Sequence, residues 1–168
     1  MAVNKIHFYL IITILFIQCN KKTEQTESNF ETVFETSNGT ETPEYNDVIK
    51  FYKELSETFN SVAIYDMQKT DSGQPLHLVT FNPNRTFESE FSRADEKSIL
   101  LVNNGIHPGE SDGIDASMLL IRDLAQGKIE TPENTIIAVI PIYNIGGALN
   151  RNSTTRTNQI GPQFLNDF

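Results

Sequence analysis

A histidine and, three residues on, a glutamate stand at the end of an apolar run, Ser98-Ile99-Leu100-Leu101-Val102-Asn103-Asn104-Gly105-Ile106-His107-Pro108-Gly109-Glu110. Neutral imidazole and ionised carboxylate are both ligands that Zn²⁺ accepts. A catalytic zinc typically takes three protein ligands and keeps its fourth position for water. His107 and Glu110 could supply two of the three. The same spacing also allows a loop histidine hydrogen-bonded to a solvated glutamate and nothing more, and the two residues alone do not decide between these readings.

The flanking sequence shows what would position such a pair. Pro108 and Gly109 end the strand and force a turn, so both side chains are expected at its carboxyl end, where open α/β sheets place their ligands. Beyond Glu110, Ser111, Asp112 and Asp115 offer cap and first-turn acids for a helix from about Gly113 to Gln126, with Gly127 as its stop. Ile114, Met118, Ile121 and Ala125 form the apolar stripe of that helix, widened by Leu119, Leu120 and Leu124. Thr135-Ile136-Ile137-Ala138-Val139-Ile140 is a continuous apolar run of strand length, the pattern of a strand covered on both faces. Strand, helix and strand make a βαβ unit. From Tyr143 a polar loop follows, with Asn144-Ile145-Gly146-Gly147, then Asn150-Arg151-Asn152, then Arg156 to Pro162. Loops placed there carry the site residues of α/β enzymes.

Upstream, Val48, Phe51, Tyr52, Leu55 and Phe59 recur at helical spacing and are expected in a core, with folded structure starting near Pro43. Two strands follow, Val62 to Met67 and Leu76 to Phe81, joined by the turn-forming Thr70-Asp71-Ser72-Gly73-Gln74-Pro75. His77 lies in the second, next to Pro75, which suits an edge or strand-start position. No acid, cysteine or second histidine stands beside it at ligand spacing, so His77 is read as structural. Asn82 to Lys97 is a polar loop joining this hairpin to the central strand that leads to His107. The fold class expected is α/β, a partial mixed sheet flanked by helices.

At 168 residues, with 38% hydrophobic and 10% aromatic content, the chain has room for one domain with a core. A net charge of -9 repels phosphate backbones and excludes nucleic acid as a partner. Lys5 precedes an apolar stretch from Ile6 to Ile17, short for a membrane span and of the length of a signal-peptide core, so export is expected. Cys19, the single cysteine, follows at once, which rules out an intramolecular disulfide. The arrangement resembles a bacterial lipoprotein signal, although Gln18 and Phe16 depart from its usual residues. The resemblance implies a cell-envelope protein anchored to the membrane by lipid on Cys19. Residues 1–19 are thus read as the signal. Residues 20–42, dominated from Thr23 to Thr42 by Thr, Glu, Ser and Asn, are read as a disordered tether, and 43–168 as the folded domain.

From about Glu44 to Pro162, the pieces run helix, Ser72-Gly73-Gln74-Pro75-Leu76 hairpin, apolar strand ending in His107-x-x-Glu110, helix, buried strand, and an Asn-Gly-Gly loop followed by Arg156. This order resembles the zinc carboxypeptidases of peptidase family M14. The resemblance implies that His107 and Glu110 are the first two ligands of Zn²⁺. It implies that Arg156 is the guanidinium that polarises the scissile carbonyl, and that the substrate is a peptide cut at its C-terminal bond by zinc-bound water. A metal and a fixed cation both stabilise charge that develops in the tetrahedral transition state. Arg151, in the same loop, competes for the cationic role.

Several positions depart from the family pattern. Ile145 and Gly146 replace the middle of an Asn-Pro-Asp-Gly turn, leaving Asn144 as a turn-former, and Gly109 stands where the family often has arginine. Asp112 is read as a helix-start acid. The family also implies a downstream histidine as third ligand, a glutamate as general base and an Asn-Arg pair for the substrate carboxylate. His7 and His77 are poorly placed for the first role, Asn150-Arg151 precedes Arg156, and Asn166-Asp167 lacks the arginine. The reading is therefore a truncated, amino-terminal part of such an enzyme, with little activity alone and an apolar sheet edge left uncovered. The alternatives are a zinc-dependent deacylase of N-acyl amino acids and a noncatalytic surface lipoprotein on a degenerate peptidase scaffold.

Overall fold

The computed structural model of the chain describes residues 29–83, 98–131 and 134–152. Cys19, Arg156, most of the loop from Asn82 to Lys97 and the end of the chain lie outside them, as does the expected signal.

Ordered structure begins before Pro43. Helix α1, Val33–Thr36, opens on a capping box in which the Glu35 amide donates to Thr32 Oγ1 and the Thr32 amide donates to the Glu35 carboxylate. Just ahead of it Phe30 is buried against Phe51 and Phe59, with ring centroids 6.3 and 5.7 Å apart. Arg122, buried 92 residues downstream, donates to the Phe30 carbonyl at 3.0 Å and pairs with Glu35 and Asp123. The expected tether therefore does not hold over residues 29–42. A composition too poor in aliphatics to form a core of its own is held by one aromatic anchor and one buried guanidinium belonging to the rest of the domain.

Helix α2, Tyr45–Thr58, buries Tyr45, Val48, Ile49, Phe51, Tyr52 and Leu55, the stripe that its spacing foretells. Strands β1, Val62–Lys69, and β2, Pro75–Phe81, form an antiparallel hairpin, closed by a turn in which Gly73 takes φ +80°. Helix α3, Asp112–Ala125, ends where Gly127 adopts φ +69° and the Lys128 amide reaches back to the Asp123 carbonyl, a left-handed helix stop.

The four strands are ordered β1-β2-β4-β3. Strand β4, Thr135–Ile140, runs antiparallel to β2, with Val79 opposite Val139, and parallel to β3, Ser98–Asn103, with Leu101 opposite Ala138. The β3-α3-β4 crossover is the expected βαβ unit. Helix α2 packs on β1 and along α3, which lies over β2, and all three contribute to one core. β4 is buried from Ile136 to Val139, as its sequence foretells. β3 is different: read as central, it is the edge among the described strands, with Ile99, Leu100 and Leu101 at 45, 52 and 57% exposure. A short helix α4, Ile145–Leu149, follows β4.

Candidate metal centre at the end of strand β3

The loop leaving β3 is fixed at its base by Asn104. The Asn104 amide donates to the Ile140 carbonyl at 3.1 Å, and its own carbonyl accepts from Tyr143 at 2.8 Å. Its buried side chain donates to Ser117 Oγ of α3 at 2.8 Å. One residue thus ties the ends of two parallel strands to the helix between them. Gly105 follows at φ +57°, wedged against Ile114 and Ile142, where an added Cβ would sit 3.3 to 3.4 Å from its neighbours.

His107 to Glu110 then form a tight turn, with the Glu110 amide donating to the His107 carbonyl at 3.3 Å. Proline at the second position and a glycine with φ +80° at the third are the chemistry of a type II turn. The turn accounts for Gly109 at the position where arginine was expected, since L side chains rarely adopt that backbone conformation. First and fourth turn residues lie side by side, and His107 Nδ1 sits 3.1 Å from Glu110 Oε2. The glutamate is partly shielded, while the imidazole is 55% exposed.

Two donors on one tetrahedral zinc, with bonds of about 2.0–2.2 Å, lie roughly 3.4 Å apart. The 3.1 Å between Nδ1 and Oε2 is a hydrogen-bond distance, the second of the two readings that the sequence leaves open, and it is also within a few tenths of an ångström of the spacing of two ligands on one zinc. The structure therefore brings together the two residues that the sequence singled out. Among the described residues, no group of three or more His, Cys, Asp or Glu side chains is placed to hold a metal.

Arg156 lies outside the described residues. Arg151 donates to the Thr42 carbonyl at 3.1 Å, with Glu44, Asp115 and Asp47 as its neighbouring charges. Burial pulls its guanidinium below the usual value, and those carboxylates partly restore it. Its described role is to hold the N-terminal segment. Asn144 is a turn-former as expected: its side chain accepts from the Gly147 amide at 2.9 Å and caps α4. Asp112 is the first residue of α3.

His77, read as structural because no acid stands beside it along the chain, does have an acid beside it in the fold. It is buried, with Nε2 3.0 Å from Asp66 Oδ1 and Nδ1 3.4 Å from Tyr45 Oη. Asp66 is its cross-strand partner in the β1-β2 register, a neighbour that spacing along the chain does not show. Burial holds the imidazole below its ordinary value, with Asp66 opposing and Lys53 reinforcing.

The sequence reading missed Asp115. Taken as a first-turn acid, it is buried, with Oδ2 accepting from Thr42 Oγ1 at 2.9 Å. Among the described residues neither its Oδ1 nor the buried Tyr52 Oη has a hydrogen-bond partner. Burial pushes this carboxyl up to about 6, against the lowering effects of Thr42 and Arg151. An acid directly beside Ile114 and three residues before Met118, inside an apolar stripe, is the one signal that could have flagged it.

No family model and no curated protein matches the chain. Solved structures do. Carboxypeptidase A from Helicoverpa armigera superposes with TM-score 0.57 at 18% identity, over 66% of this chain and 26% of that one. A metallo-carboxypeptidase from Burkholderia cenocepacia gives 0.53 at 18% identity, over 66% and 29%. Bovine thrombin-activatable fibrinolysis inhibitor, solved with a tick carboxypeptidase inhibitor, gives 0.52 at 13% identity, over 65% and 33%. The fold of the described domain is that of part of a carboxypeptidase. The chain spans about a quarter to a third of the length of these structures.

Proposed function

We propose that the chain carries the part of a zinc carboxypeptidase-type hydrolase that supplies the first two metal ligands, His107 and Glu110. One observation carries the reading: within a fold shared with carboxypeptidases, a type II turn at the end of β3 sets Nδ1 and Oε2 3.1 Å apart, a spacing one zinc can bridge. When bound, zinc supplies Lewis-acid polarisation of a carbonyl and a water of lowered pKa. The chain's own contribution is positional. The turn holds the imidazole and the carboxylate as a pair, and Asn104 fixes the loop to the strand ends and to α3.

Arg156, in the polar segment after α4, is the group we assign to oxyanion stabilisation on the strength of the family resemblance, since a guanidinium would match the charge of a tetrahedral intermediate. The substrate class is a peptide with a free C-terminus. The apolar N-terminal stretch and Cys19 support an exported protein held at the cell envelope by lipid.

Two donors hold zinc weakly, so the purified chain is expected to take up about one equivalent of zinc with low affinity, and to hydrolyse peptides poorly. Calorimetric zinc titration of the wild type, His107→Ala and Glu110→Ala checks the first point, with each substitution abolishing the heat of binding. Assays on free and amidated peptides check the second. Zinc uptake that neither substitution changes overturns the metal assignment and leaves a noncatalytic scaffold. Rapid turnover with zinc overturns the view that these two ligands are only part of the site.

A further inference from the structure

Helix α4 is five residues long and contains two adjacent glycines, Gly146 and Gly147. Glycine inside a helix is less stable than alanine by roughly 0.5–1 kcal/mol, so each needs another reason to be there. For Gly147 the reason is visible. A Cβ there would lie 2.5 Å from Pro108 Cγ and 2.8 Å from Asn144 Oδ1. Gly146 has no such conflict, since its Cβ would meet only Ser72 Cβ at 3.7 Å, an ordinary contact.

The ring that Gly147 admits belongs to the second residue of the metal-pair turn. The same segment holds the preceding residues too. The Asn144 amide donates to the Gly105 carbonyl at 2.9 Å, and its Nδ2 donates to the Ile106 carbonyl at 3.4 Å. A Cβ added at Gly109, by contrast, would meet nothing within 4 Å among the described residues.

We infer that Asn144 and Gly147 are positioning residues that set the mutual geometry of His107 and Glu110, by bracing the Ile106-Pro108 backbone against α4. The inference rests on the metal assignment above, and it concerns residues that touch neither metal nor substrate. A methyl at position 147 must push away either a proline ring fixed within the chain or the carboxamide that caps the helix. Either movement turns His107 relative to Glu110.

The two glycines give an internal control. Gly146→Ala and Gly147→Ala in the full chain are followed by nitrogen-15 NMR of the His107 imidazole, by zinc titration and by thermal melting. Gly146→Ala is expected to keep the wild-type imidazole signals and zinc affinity. Gly147→Ala is expected to shift those signals toward the pattern of Glu110→Ala and to weaken zinc roughly tenfold or more, as changes behind metal ligands do, while the chain stays folded with a melting temperature lowered only by the displaced ring or cap. Adding Pro108→Ala, which removes the colliding Cγ, should recover part of the loss. A Gly147→Ala protein whose His107 signals match the wild type overturns the inference. If the wild type takes up no zinc through His107, the metal assignment fails, while the imidazole signals still report whether the brace exists.

Discussion

Strands β1 and β3 stand at opposite edges of one sheet and are built in opposite ways. β1 exposes Asp66, Met67, Gln68 and Lys69, and its pairing is broken by an irregularity between Asp66 and Lys69. Charges and a bulge are how natural edges resist pairing with other chains. β3 has neither: Ser98-Ile99-Leu100-Leu101-Val102-Asn103 is uncharged, and no described strand pairs with its outer side. The edge that only has to fold is finished. The edge that leads to His107 and Glu110 carries neither device among the described residues.

The largest test of this contrast is truncation. Phe81, in β2 beside β1, is buried, and Phe81→Ala should cost about 3–5 kcal/mol in denaturant unfolding. Leu101→Ala in β3, where the side chain is 57% exposed, should cost about 1 kcal/mol or less. Equal costs would mean that β3 is covered in solution, and the difference between the edges would disappear.

That contrast was only half legible in the sequence. The hairpin, β4 and α3 could be read because period, turn residues and caps are local properties, and α3 is displaced by one residue from its expected start at Gly113. β3 is legible as a strand, but a continuous apolar run is the same whether its neighbours are present or not. Its exposure is a property of the partners. The same limit explains Phe30, which local composition cannot rescue, because Arg122 and Phe51 reach it from other parts of the chain. At the site, Pro108-Gly109 announced the turn. The brace from Gly147 could not be seen, since it depends on how closely α4 approaches a loop about forty residues earlier.

A second prediction concerns the closed side, where burial is not uniformly favourable. The fold raises the Asp115 carboxyl from 3.8 to about 6, so it prefers the protonated form. In this window the native state binds more protons than the unfolded chain, and stability falls as pH rises from about 4 to 6, then stays level. Asp115→Asn keeps an acceptor for Thr42 and should remove this slope. Above pH 6 it should gain on the order of 2 kcal/mol in urea unfolding. His77 acts with the opposite sign. Its lowered value means that stability is lost as pH falls below its unfolded value of 6.5, and that slope should survive in the Asp115 variant. A variant whose stability still falls between pH 4 and 6 would show that Asp115 is not the group responsible.

The smallest expected change in stability is also the most direct probe of the open edge. Leu101→Lys places on β3 the residue that natural edge strands use most to discourage pairing. Because Leu101 already meets solvent, unfolding free energy should move by less than about 0.5 kcal/mol. Self-association in sedimentation should fall, since an exposed uncharged strand is a template for a second one. Met67→Lys on β1, at a similar 54% exposure, should leave association unchanged, because Lys69 and the broken register already guard that side. A Leu101→Lys protein that loses several kcal/mol would place that side chain inside a packed interface. The strand leading to His107 would then be central in solution, and the two edges would no longer differ in kind.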